Sequence, residues 1–134
     1  MRRGAQAFGW QSSASGALGF AAGHQATASA LQSTAIGKNA NAGHDSATAL
    51  GFAATTTRAN QVVLGGAGSS VTVGDIAAST AAQAGPADIV TVDASGTLGR
   101  DVSLRPAIVS LQSSVVSQGS AVAALQSGVS ALGG

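Results

Sequence analysis

Gly9, Gly23, Gly37, Gly51 and Gly65 recur every fourteen residues. The residues ahead of them repeat as well: Ala35-Ile36 before Gly37, Ala49-Leu50 before Gly51, Val63-Leu64 before Gly65, with Ala21-Ala22 and Ala7-Phe8 as weaker copies. A short fixed period implies stacked, near-identical coils of backbone rather than a globular enzyme core. Within a coil, small residues alternate (26, 28, 30; 40, 42), as strands require when one face packs on a very close neighbour. Fourteen residues hold two short strands and two tight turns, which is one coil of a flattened solenoid. Ile36, Leu50 and Leu64 then supply one larger core residue per coil, and the glycine after each permits a positive φ or a close backbone approach.

Half of the hydrophobic residues are Ala, and residues 1–57 contain only seven Leu, Ile, Val or Phe. One copy of such a segment buries too little apolar surface to offset the entropy of ordering it. A net charge of +1 does not fit a chain kept disordered by its own repulsion. Self-association, several thin coils sharing one core, resolves the conflict, so an obligate homo-oligomer is expected. The basic residues Arg2, Arg3, Lys38, Arg58, Arg100 and Arg105 form no stripe and aromatics are scarce, which argues against nucleic acid as a partner. With no Cys there is neither a thiolate zinc site nor a disulfide. No signal peptide opens the chain and no apolar run reaches membrane-spanning length. Starting in mid-repeat and stopping inside a heptad array, the chain is expected to be a piece of a longer protein.

Downstream the pattern changes four times. Residues 58–74 break the repeat, with two strands expected at Val62–Leu64 and Val71–Val73 across the Gly-rich stretch 65–70. Residues 75–84 predict a short helix capped by Asp75 and stopped by Gly85-Pro86. Residues 88–93 and 97–98 flank Ala94-Ser95-Gly96 and predict a β-hairpin with Gly96 left-handed. From Leu104, the residues Ile108, Leu111, Val115, Gln118, Val122, Leu125, Val129 and Leu132 follow spacings of four and three, a heptad array. Ser103 is its expected N-cap and Pro106 lies in the first turn. Gly119, Gly128 and many serines make this helix intrinsically poor, so association must stabilise it. Its a and d residues alone do not decide between two strands and three.

The ordered set resembles the trimeric autotransporter adhesins. The Ala-Ile-Gly and Ala-Leu-Gly repeats look like a YadA-like head, and Arg58-Ala-Asn-Gln-Val-Val-Leu-Gly65 is similar to the start of the neck that follows such heads. Family necks often continue with an aromatic–Thr–x–Pro–Gly–Ile stretch. The counterpart here, Val71 to Ile76, lacks the aromatic and the Pro and inserts Asp75. Val90 to Leu98 resembles a hairpin found between neck and stalk. The resemblance implies a mainly β protein with a coiled coil. A trimeric left-handed parallel β-roll head (1–57) would be followed by a neck (58–76), a connector of short helix and β-hairpin (77–102), and a parallel three-stranded coiled-coil stalk (103–134). It implies a homotrimer on the bacterial outer-membrane surface, anchored by a barrel absent from these residues, reached by type V secretion and attaching to a host or abiotic ligand. Asn60, Gln61, Val62, Val63, Leu64 and Gly65 would be the structural neck residues.

No catalytic site, metal site or cofactor is expected. His44-Asp45-Ser46 holds triad residue types, but adjacency in sequence is the wrong geometry for a triad. His24 and His44 are not one repeat apart, and a metal needs more ligands. The glycines at 65–68 lack a Walker Lys and a calcium-binding Asp. Gln118 is the one polar break in the heptad seam; three amides around an axis can hold water or an anion, or serve to fix register. Two other readings use similar physics. A phage tail-fibre shaft is also a trimeric fibre, and an ice-binding solenoid would use Thr27, Asn41 and Thr55, and Thr34 and Thr48, as ladders.

Overall fold

The computed structural model describes residues 3–133, in two compact units that divide between Gly74 and Asp75.

The first unit is a parallel β-solenoid. Strands β1 (Gln6–Phe8), β3 (Phe20–Ala22), β5 (Thr34–Ile36), β7 (Thr48–Leu50) and β8 (Val62–Leu64) form one sheet in that order. Strands β2 (Ser13–Ala14), β4 (Thr27–Ala28) and β6 (Asn41–Ala42) form the other, which Thr55 extends by a single bridge to Asn41. Every pairing joins residues fourteen apart: Ala7 to Ala21, Ala21 to Ala35, Ala35 to Ala49, Ala49 to Val63. The glycine period is therefore the coil length.

Backbone geometry divides each coil again. Gln11, Leu18, Gln25, Gln32, Asn39, Ser46, Ala53 and Asn60, spaced by seven, all have φ between 54 and 59°. Each is a left-handed corner, a conformation that costs a non-glycine residue about 1–2 kcal/mol. Stacking compensates, because each corner N–H from Leu18 onward donates to the preceding coil. Gln25 bonds the Trp10 carbonyl at 3.0 Å, Asn39 that of His24 at 3.0 Å, and Ser46 that of Leu31 at 2.8 Å. The residues one and three places after a corner point inward, so Ala26 and Ala28, Ser33 and Ala35, Ala40 and Ala42, and Ala47 and Ala49 are fully buried.

That core is one methyl group wide on each side. The largest fully buried side chain is Ser33, whose hydroxyl donates to the Ala30 carbonyl at 2.8 Å. Ile36, Leu50 and Leu64, read from sequence as core residues, lie outside it, with 37, 43 and 49% of their surface exposed. The cause is strand alternation: with Ala35, Ala49 and Val63 facing in, the next residue of each strand faces out.

The sequence-based break at residue 58 also moves. Asn60 keeps the corner conformation, Gly65 N–H still donates to the Leu50 carbonyl at 2.7 Å, and β8 completes the sheet. The chain leaves the solenoid after Gly65, where φ falls to 78° from the 116–130° of the four glycines before it. Val71–Val73 forms no strand.

In the second unit, helix α1 (Ile76–Ala81) starts at Asp75, whose Oδ1 accepts from Ala78 N–H at 2.8 Å. Strands β9 (Ile89–Val92) and β10 (Leu98–Asp101) make an antiparallel hairpin in which Leu98 pairs with Val92 and Asp101 with Ile89. Asp93 Oδ1 accepts from Ser95 N–H and Thr97 N–H, both at 2.9 Å, and fixes the turn, with Gly96 at φ 79°. Arg100 joins Asp88 across the hairpin at 3.0 Å. Helix α2 (Leu104–Gly133) then runs for 30 residues with no buried side chain.

Ser103 holds the N-cap position, its carbonyl accepting from Ala107 N–H at 3.1 Å, but Asp101 supplies the cap. Asp101 Oδ1 accepts from Ser103 N–H at 2.6 Å, Ser103 Oγ at 2.7 Å and Leu104 N–H at 3.0 Å. The Ser103 hydroxyl is the main cause, with the two N–H groups, of a carboxyl held below the usual aspartate range.

Candidate functional site

The solenoid presents two unlike faces. On the five-stranded sheet, register aligns Phe8, Ala22, Ile36, Leu50 and Leu64 in one outward column, and Gln6, Phe20, Thr34, Thr48 and Val62 in the other. Phe8 and Phe20 are in contact, ring centroids 5.9 Å apart. Bulk thus lines one column of this exposed face, the arrangement expected of a surface that meets a partner. The opposite sheet aligns Ser13, Thr27, Asn41 and Thr55, an uncharged polar column. The Thr and Asn ladders expected from sequence are in register.

Glycine spacing has a direct steric cause. A Cβ built on Gly9 would come 2.7 Å from the Gly23 carbonyl oxygen, and one on Gly23 would come 2.7 Å from the Gly37 carbonyl carbon. The glycines form a column too tight for any side chain.

Helix α2 carries the heptad residues as expected, all exposed in the single chain: Ile108 (54%), Val122 (53%) and Leu125 (69%) among them. Gln118 lies on the same helix and is exposed. Contrary to the sequence reading, α2 is long and apolar enough to cross a membrane by length and composition. Its serines offset their polarity locally: Ser113, Ser114 and Ser120 donate to carbonyls four residues back at 3.1, 3.1 and 3.2 Å. Its first turns, through Arg105, Pro106 and Val109, line an open groove together with Pro86, Asp88 and Val102.

The other candidate residues are engaged in structure. Asn60 N–H donates to the Asp45 carbonyl at 3.0 Å, and Gln61 Oε1 accepts from Thr57 N–H at 2.7 Å. Val63 packs against the alanine core, whereas Val62, Leu64, Val71 and Val73 are exposed in the single chain. His44, Asp45 and Ser46 each turn to a different partner. His44 Nδ1 meets Thr56 Oγ1 at 3.1 Å, Asp45 Oδ1 accepts from Leu31 N–H at 3.0 Å, and Ser46 Oγ contacts Gln32 Oε1 at 3.4 Å. Among the described residues no three His, Asp or Glu side chains cluster as metal ligands would. Sequence reasoning missed the Trp10–His24 pair, stacked at 4.8 Å and 5°. Their fourteen-residue separation was the available signal.

Comparison with family models places two copies of the YadA head domain repeat on residues 14–40 and 28–54, offset by one coil. The roll carries YadA head repeats over residues 14–54. Its repeats point to the trimeric autotransporter adhesins, outer-membrane surface proteins whose YadA-like heads form homotrimers. Comparison with curated proteins and with solved structures gives no significant match.

Proposed function

We propose that this chain is the head, neck and upper stalk of a homotrimeric surface adhesin. In this reading, three YadA-type rolls meet through their bulky faces, and three α2 helices associate as a parallel coiled coil. The observation that carries the reading is the placement of bulk. The alanine core of each roll is already full, while Phe8, Ile36, Leu50 and Leu64 stand outside in one column and the heptad residues of α2 stand outside in another. Both stripes gain stability by meeting further copies, at about 25 cal/mol per Å² of apolar surface buried. Residues Asn60–Gly65 close the roll and begin the neck. The role is display and binding rather than catalysis, with avidity arising from threefold repetition of a weak contact.

Sedimentation equilibrium tests the assembly: three copies of the 12.7 kDa chain are expected, and a stable folded monomer would refute it. Attachment is tested in cells displaying the full-length protein. Removing residues 23–50 excises two whole coils and leaves the glycine column in phase. Reduced attachment at equal display assigns binding to the roll; unchanged attachment makes it a spacer.

A further inference from the structure

We propose that one corner of the roll is a docking strip for an uncharged, extended polysaccharide. Positions 10, 24, 38 and 52 stack coil upon coil and carry Trp10, His24, Lys38 and Phe52. Trp10 is 68% exposed and Phe52 59%, in a chain with one Trp and three Phe. The Trp10 indole lies flat on the His24 imidazole, with the ring centroids 4.8 Å apart. Three coil spacings separate Trp10 from Phe52, about 14 Å.

Next to these rings runs the amide column Gln11, Gln25, Asn39. Gln25 Nε2 donates to Gln11 Oε1 at 3.0 Å, so Gln11 keeps its NH₂ and Gln25 its carbonyl oxygen for a ligand. A pyranose ring matches this pairing. Its C–H face stacks on an aromatic ring while its equatorial hydroxyls reach sideways to amides, and a polymer repeats the match along the column. Other ligand classes fit less well. A peptide adding as a strand needs free backbone groups, yet the N–H groups of Gln25, Asn39 and Ala53 already donate to Trp10, His24 and Lys38 carbonyls, each at 3.0 Å. A phosphate polymer or sulfated glycan needs a row of cations, and Lys38 is the one permanent cation of the column.

Exposure of the strip in the assembled spike rests on the reading that copies meet through the Phe8–Leu64 face, and the experiment separates the two. Trp10 is the only Trp, so its fluorescence reports on this corner alone. The full chain is titrated with cellohexaose and xylohexaose, with a heparin hexasaccharide as anionic comparison, and its mass is measured in the same samples. A saturable change in Trp10 emission with a neutral hexasaccharide, weakened about three- to tenfold in Phe52→Ala and also weakened in Gln25→Ala, supports the strip. No response, a response to heparin alone, or equal affinity in both variants overturns it. A trimer that fails to bind overturns the strip and leaves the assembly standing; a monomer that binds does the reverse. Trp10 shielded from iodide quenching in the sugar-free trimer also overturns it.

Discussion

Gly37 stands directly over Gly51, so close that a Cβ on Gly37 would lie 2.6 Å from the Gly51 carbonyl oxygen. Gly37 also has φ 126°, a region other residues adopt only at a cost of about 1–3 kcal/mol. Gly37→Ala therefore faces a backbone clash as well as conformational strain, and the roll cannot relieve one without separating the two coils. A fall in stability of at least about 2 kcal/mol is expected in thermal or urea unfolding. An unchanged midpoint would mean that the coils are not stacked in this register.

The coil length was legible in the sequence because this clash imposes a glycine at one fixed place. The seven-residue half-coil was not, since its corners are Gln, Leu, Asn, Ser and Ala. The conformation there is stabilised by backbone bonds between coils, which any residue can make. Facing was misread for a related reason. Ile36 was taken as core because it is large, whereas the inward position of its strand is held by Ala35, in a core built mostly of alanines. The α1 helix and the hairpin were legible through Asp75 and Gly96, whose local chemistry fixes the chain. The Asp101 cap was missed because it lies two residues ahead of Ser103, at the end of a strand. The Trp10–His24 stack depends on coil register, so it emerges only once Phe8 is paired with Ala22.

Asp101 makes the start of α2 sensitive to acid. Its carboxyl is held below the usual aspartate range, so the folded state binds that proton less readily than the unfolded chain. The stabilisation is complete above the ordinary aspartate pKa of about 3.9 and is lost as the pH falls through the lower folded value. Helicity measured by circular dichroism should decline in that acid range. Asp101→Asn should remove the Asp101 part of the decline while keeping some capping, and Asp101→Ala should shorten the helix at neutral pH. Equal acid profiles in wild type and Asp101→Asn would show that another group controls the transition.

Gln118 tests the coiled-coil reading. If three copies meet along the heptad seam, Gln118→Leu exchanges an amide for apolar surface and should stabilise the assembly by about 1–3 kcal/mol per buried amide, read as a higher melting temperature. Ile108→Asp should do the opposite by bringing three carboxylates to the axis. Both effects should depend on protein concentration, because they act through association. A Gln118→Leu variant with unchanged or lower stability would place that side chain outside the seam or tie it to a bound ligand.

Ala35 and Ile36 are neighbours that the fold uses in opposite ways, and exchanging their sizes separates the roll from its assembly. Ala35 is fully buried against the opposite sheet, while Ile36 is 37% exposed on the bulky face. Ala35→Val adds volume where the sheets already touch, and overpacking of this kind costs about 1–3 kcal/mol. It should destabilise the roll at every protein concentration. Ile36→Ala removes nothing from the inner core, so each roll should keep its β signal in circular dichroism. Three copies would lose the apolar surface that Ile36 buries between them, about 1.5–3 kcal/mol per side chain at full burial. Dissociation should therefore begin at higher protein concentration in sedimentation, with the coils still folded. If Ile36→Ala instead unfolds the roll as Ala35→Val does, the bulky face is part of the protomer core and the proposed interface is wrong.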